Sequence, residues 1–174
     1  MFKRCLSATA LILSLFLITL SAQETAISQQ DMTRPDKQES LSWMNKTAQM
    51  PEKQQNENLD VILRSASAPD SKTPRSDFLF CVGLAYWGNG KAQQCLGRAY
   101  EKGLGIVEDP MEAYTWFALA AGSKVSGSDA DLERVKTRLI STYPAPTDEE
   151  FENQVSDLKS RISQYQAAAK KNKK

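Results

Sequence analysis

From residue 73 onward, apolar positions recur with helical spacing, and each predicted helix has a recognisable start and stop. Thr73-Pro74 and Asp109-Pro110 each place an N-cap residue before a proline at the first helical position, and Thr147 precedes an acidic run. Glycines such as Gly103 mark the stops. The pattern predicts helices near residues 74–87, 91–102, 110–121, 129–143 and 148–168. No segment alternates like a half-buried strand, so we predict an all-α fold.

The last two predicted helices each carry one apolar stripe. Two sets of residues form these stripes: Leu132, Val135, Leu139 and Tyr143 in one helix, and Phe151, Val155, Leu158, Ile162 and Tyr165 in the other. The second stripe alternates spacings of four and three, which also suits a coiled-coil seam. It covers barely two heptads, so we expect an intramolecular cap over the helices before it. A homodimer through residues 151–165 is the alternative.

The sequence repeats itself at a spacing of 36 residues. Pro74 matches Pro110, Phe80 matches Trp116, and the caps before them also align. Self-similarity with a period of about 20–50 residues indicates stacked helix pairs. CVGLAY (81–86) and CLGRAY (95–100) are also similar, at a spacing of fourteen residues, which is the distance from one helix to the next. We explain this similarity by a shared crossing point, at which both helices need a small residue. A glycine inside a helix costs about 1 kcal/mol relative to alanine, so Gly97 predicts a close helix contact.

Residues 92–122 resemble a SEL-one-like repeat, an α/α repeat related to the tetratricopeptide type. The residues that match the pattern of this family in register are Ala92, Leu96, Gly97, Tyr100, Gly103, Gly105, Asp109, Ala113, Trp116, Ala120 and Ala121. Residues 73–88 look like the second helix of a degraded preceding repeat, whereas residues 128–143 lack the Leu-Gly and Tyr of a following one. The resemblance implies a short helical repeat array with a scaffolding role.

The chain before the helical region divides into two parts. Residues 1–22 carry Lys3 and Arg4, then an apolar run too short to span a bilayer, then small residues, which predicts a cleaved signal peptide. Residues 23–72 are polar and poor in aromatics, so we expect them to be mostly disordered, with LSWM (41–44) and LDVIL (59–63) as two segments able to dock. The helical repeat domain follows at 73–168, and residues 169–174 form a basic tail.

Signal cleavage would remove Cys5 and leave Cys81 and Cys95. In an exported protein, an even pair of cysteines predicts a disulfide, and two buried free thiols are the alternative. A bridge between them would stabilise a short array by about 3 kcal/mol. We expect an exported protein, in the periplasm first and secreted as the alternative, with no membrane span after cleavage.

The net charge and the types of residue present limit which partners and reactions we expect. Of the 22 basic residues, Lys3 and Arg4 leave with the signal, so 20 basic residues face 21 acidic ones. This near-neutral balance gives no reason to expect nucleic acid as a partner. The absence of histidine excludes Ser-His-Asp and Cys-His catalysis and histidine-bound zinc. Ser156 and Lys159 fit an S-x-x-K pattern, but no companion motif accompanies them, and Leu158 belongs to a packing stripe.

We therefore expect a non-enzymatic protein without cofactor or metal, acting as an adaptor of the cell envelope. Its partner would be another protein or a peptide segment, held in a groove on the exposed polar faces of the first helices. Gln94, Arg98 and Glu101 are the candidate groove residues. Two alternatives stay open: an exported hydrolase of β-lactamase-like type, and a self-assembling structural protein of the envelope.

Overall fold

A computed structural model describes residues 33–66, 75–142 and 144–171. These residues form seven α-helices and contain no strand, which confirms the all-α prediction for the described part of the chain. The helices are α1 (Lys37–Ala48), α2 (Glu52–Ala66), α3 (Arg75–Tyr86), α4 (Gly90–Lys102), α5 (Pro110–Gly122), α6 (Ser128–Ile140) and α7 (Asp148–Lys171). The predicted signal peptide at 1–22 lies outside the described residues.

The five predicted helices correspond to α3 to α7, and their ends follow from local capping. The Asp109 side chain accepts hydrogen bonds from the backbone of Met111 and Glu112, at 3.1 and 3.0 Å. Thr147 and Glu150 form a reciprocal capping box at the start of α7, with the Glu150 N–H donating to the Thr147 hydroxyl at 3.2 Å. Helix α7 runs to Lys171, which is further than predicted, so the basic tail begins as helix. The predicted Thr73-Pro74 cap lies outside the described residues.

The expectation of a mostly disordered segment at 23–72 is wrong for residues 37–48 and 52–66, which are helices α1 and α2. Helix α1 begins after Asp36, whose carboxylate accepts from the Glu39 N–H at 2.8 Å. Met44 is fully buried, as are the small polar residues Ser40 and Thr47. A count of apolar residues misses this face because two of its three buried positions are polar.

Consecutive helices pack beside one another from α3 to α6, while the first two join the array through different partners. Helix α1 packs on α3, and α2 packs on α4. Helix α7 lies against α5, α1 and α3. Its apolar stripe is used within the chain: Phe151 meets the ring of Tyr114 at 4.4 Å between centroids, and Tyr165 stacks on Tyr86 at 5.0 Å. The stripe thus forms an intramolecular cap, and Phe151 and Leu158 are buried without a second copy. Tyr143 of the other stripe lies outside the described residues.

Gly97 and Gly83, both inside helices, mark close approaches between helices. A Cβ added at Gly97 would lie 2.6 Å from the ring of Phe117 on α5, so the predicted close contact exists. A Cβ at Gly83 would lie 2.6 Å from the carbonyl oxygen of Trp43 on α1. The explanation by one shared crossing is therefore wrong, because the two glycines face different helices on either side of the α3–α4 pair.

A disulfide joins helices α3 and α4. Cys81 on α3 and Cys95 on α4 form the predicted disulfide, with their Cα atoms 6.3 Å apart. Both side chains are buried, so the bridge belongs to the core between these helices. The residues matching the repeat pattern also serve packing and turns: seven of them are buried, and Gly103 and Gly105 adopt positive φ after α4. The buried ones are Ala92, Leu96, Gly97, Tyr100, Ala113, Trp116 and Ala120.

Candidate interaction groove

The residues predicted to line a partner groove instead form hydrogen bonds and ion pairs with α6 of the same chain. Gln94 is only 5% exposed, and its amide donates to Asp131 of α6 at 2.9 Å. Arg98 pairs with the same carboxylate at 3.5 Å, and Glu101 pairs with Arg134 at 2.7 Å. The prediction that this face is exposed is wrong, because polar side chains beside the apolar stripe of α6 reach back across α4. Sequence periodicity alone does not show which polar residues of α6 face its neighbour.

A different surface of the described part of the chain carries an open groove with a largely apolar lining. This groove of about 350 Å³ lies where α1, α2 and the start of α3 meet. We call it the α1–α3 groove. Its apolar lining consists of Trp43 from α1, Met50 from the turn after it, Val61 and Ile62 from α2, and Phe80 from α3. These residues belong to three segments, which is why no single sequence motif announces the site.

The lining combines a buried floor with an accessible wall. Phe80 and Ile62 are buried, and Trp43 and Met50 are half-buried. Val61 is 54% exposed, although large apolar side chains favour burial. A concave surface of this composition matches the general character of ligand and peptide sites, in which apolar side chains supply affinity and a few polar groups supply orientation.

Hydrogen bonds fix the side of the groove formed by the end of α1 and the α1–α2 turn before any partner binds. The amide of Gln55 donates to the carbonyl oxygens of Thr47 and Met50, at 3.0 and 2.9 Å, and so fixes the α1–α2 turn. The Thr47 hydroxyl donates to the carbonyl of Trp43 at 2.9 Å. Because the turn is fixed, a bound segment would not have to order it, and this lowers the entropic cost of binding.

Two charged side chains border the groove, and their surroundings differ. The Lys46 ammonium lies 4.1 Å from the centre of the Trp43 ring, within cation–π range. The carboxylate of Asp77, in the first turn of α3, forms no hydrogen bond or ion pair with any described residue. Partial burial raises the pKa of the Asp77 carboxyl above its ordinary value. The lining thus has one satisfied cation and one unsatisfied anion.

A buried ion cluster that no sequence motif indicates lies elsewhere in the array. Glu112 of α5 is 6% exposed and binds Arg161 of α7 at 3.3 Å, and Arg34 contacts the same carboxylate. Glu112 lies three residues after Asp109, which caps the helix, but its carboxylate turns inward and does not complete a capping box. Burial raises the pKa of the neighbouring Tyr86 to about 12. The cluster ties the terminal helix and the segment before α1 to the centre of the array.

Ser156, Lys159 and the acidic residue Glu150 do not form a catalytic site in the described structure. Ser156 and Lys159 are exposed on α7, and no hydrogen bond joins them among the contacts of the described residues. Glu150 serves its cap, where hydrogen bonds from Thr147 lower its pKa. Within residues 33–66, 75–142 and 144–171, no group of three or more metal-ligating side chains occurs. The same residues include no helix long and apolar enough to cross a bilayer.

Comparison of the chain with protein-family models, with curated protein sequences and with solved structures finds no match. The surfaces described above are therefore the features of the molecule that bear on its function. Of these, the α1–α3 groove combines a concave apolar lining with a turn that hydrogen bonds already fix.

Proposed function

We propose that this protein is a non-enzymatic adaptor of the cell envelope that binds a segment of another protein in the α1–α3 groove. The observation that carries the proposal is a preformed apolar groove whose rim residue Val61 is 54% exposed. A volume of about 350 Å³ is enough for one or two large side chains, which is the scale of an interface hot spot.

The helical architecture supports this role. Stacked helix pairs of the repeat type create concave surfaces between elements, and such surfaces commonly bind extended or helical segments of partners. The resemblance of residues 92–122 to a SEL-one-like repeat is consistent with a scaffold. We infer that the repeat itself stabilises the array, while α1 and α2, which precede it, form the binding surface.

Export to the periplasm, or secretion, is part of the proposal. It is supported by the sequence of residues 1–22 and by the Cys81–Cys95 bridge, because disulfides persist in oxidising compartments. Self-assembly receives less support, since the apolar stripe of α7 is covered by Tyr114 and Tyr86 of the same chain. Solution mass measured by light scattering tests this point, and we expect a monomer.

The groove is tested by a pair of matched substitutions. Val61→Glu places a charge in the groove, while Val107→Glu places the same charge at a residue that is 60% exposed and outside the groove. We expect the first variant to lose an envelope protein that the unaltered chain and the second variant both capture. A photo-crosslinking amino acid should attach to that protein from position 61 and not from position 107. Equal capture and equal crosslinking by both positions would contradict the proposed function.

A further inference from the structure

We infer that the α1–α3 groove selects a partner segment in which a large apolar side chain lies next to a lysine or arginine. This inference rests on the proposed function and specifies the chemistry of its partner. The apolar side chain would occupy the floor at Phe80 and Ile62, and the cation would pair with Asp77.

The charge requirement follows from what is already satisfied in the free protein. The two charged residues of the lining are Lys46 and Asp77. The ammonium of Lys46 lies over the Trp43 ring, so it makes little demand on a partner. Asp77 has no partner among the described residues, and no neighbouring charge contributes to its pKa shift. Of the two charged groups in the lining, Asp77 is therefore the one that has no polar contact among the described residues of the free protein and that a basic partner side chain would pair with.

A basic side chain suits this combination better than other cationic groups. Lysine and arginine have apolar stems that cover hydrophobic surface while the charged end reaches a carboxylate. A metal ion would require further oxygen ligands beside Asp77, and no cluster of three ligating side chains occurs among the described residues. An acidic partner segment would bring like charge to Asp77, which disfavours binding.

Asp77 also has a role within the free protein, which the test has to separate. A carboxylate in the first turn of a helix interacts favourably with the helix dipole, so Asp77 also contributes to the stability of α3. That role needs no partner. A change in stability alone would therefore not support the inference, whereas a change in partner specificity would.

The experiment selects binders from a random peptide library displayed on phage, using the purified protein with its disulfide formed. Asp77→Asn and Asp77→Lys are the variants, and Asp157→Asn, at an exposed residue of α7 outside the groove, is the matched control. We expect the unaltered protein and the control to enrich peptides with a basic residue beside a large apolar one. The selected peptides should bind Asp77→Asn about fivefold more weakly, and Asp77→Lys should enrich acidic residues at the same position.

The outcomes separate this inference from the proposed function. If Val61→Glu abolishes peptide binding but basic residues are not enriched, or if Asp77→Lys leaves the preference unchanged, the charge inference is wrong and the groove remains. If the selected peptides bind Val61→Glu as well as they bind the unaltered chain, both the inference and the groove are contradicted. Melting temperatures of all variants identify any loss that arises from unfolding.

Discussion

Replacing Gly97 with alanine tests the packing on which the array depends. The added Cβ would lie 2.6 Å from two atoms of the Phe117 ring, while unstrained carbon atoms are separated by about 3.5–4.0 Å. Phe117 is fully buried in the core, so its ring cannot turn into solvent to relieve the overlap. Helices α4 and α5 would have to separate.

The expected magnitude combines two opposing effects. Overpacking a core by one methyl group costs about 1–3 kcal/mol, and we expect the upper part of this range because the ring is enclosed. Alanine is favoured over glycine inside a helix by about 1 kcal/mol. The net loss of unfolding free energy should therefore be about 1–2 kcal/mol, equivalent to a fall in Tm of several degrees for a chain of this size.

Urea unfolding followed by circular dichroism measures this loss. The midpoint should fall while the slope stays unchanged, since the surface exposed on unfolding is nearly the same. Gly122→Ala is the matched control: it lies in the last turn of α5, and nothing is within 4 Å of an added Cβ. That variant should be neutral or slightly more stable. If Gly97→Ala is as stable as Gly122→Ala, the close α4–α5 contact is not real.

Three further predictions concern the cross-link and the buried cluster. Replacing Cys81 and Cys95 together with serine should lower the unfolding free energy by about 3 kcal/mol, measured by urea unfolding; a loss near zero would mean that the bridge constrains little. Glu112→Gln should cost about 3 kcal/mol in the same assay, because it leaves the largely buried guanidinium of Arg161 without its carboxylate, and a stable variant would show that this ion pair contributes little. The raised pKa of Tyr86 favours the neutral phenol in the folded state, so its contribution to stability is complete below pH 10 and is lost as the pH rises towards about 12. Absorbance titration should show delayed ionisation followed by unfolding, and ionisation of every tyrosine near pH 10 would contradict it.

Helices α3 to α7 could be predicted because capping residues near each helix end in the sequence determine where most of these helices begin or end. Asp109 before Pro110 and the Thr147–Glu150 pair act within one turn of chain, so no tertiary information is needed. The contact at Gly97 could also be inferred, since an unfavourable glycine requires a compensating neighbour. Which helix supplies that neighbour depends on packing between elements distant in sequence.

Helix α1 is hard to predict for a related reason. Its buried positions include Ser40 and Thr47, which look solvent-exposed in a polar segment. Their burial depends on Gly83, some forty residues later, having no side chain. The α1–α3 groove cannot be predicted from sequence for the same reason, because Trp43 and Phe80 become neighbours only after α1 packs on α3. The same limit applies to Gln94, whose partner Asp131 lies on another helix.

Nuclear magnetic resonance of the bound complex tests the central claim most directly. A peptide selected by the protein should shift the methyl resonance of Met50 and the indole resonance of Trp43 in a saturable manner. The methyl of Met111, on α5 and outside the groove, should not move. Saturable shifts confined to the side-chain amide of Gln94, with Met50 and Trp43 unchanged, would place binding on the α4–α6 surface and contradict the account.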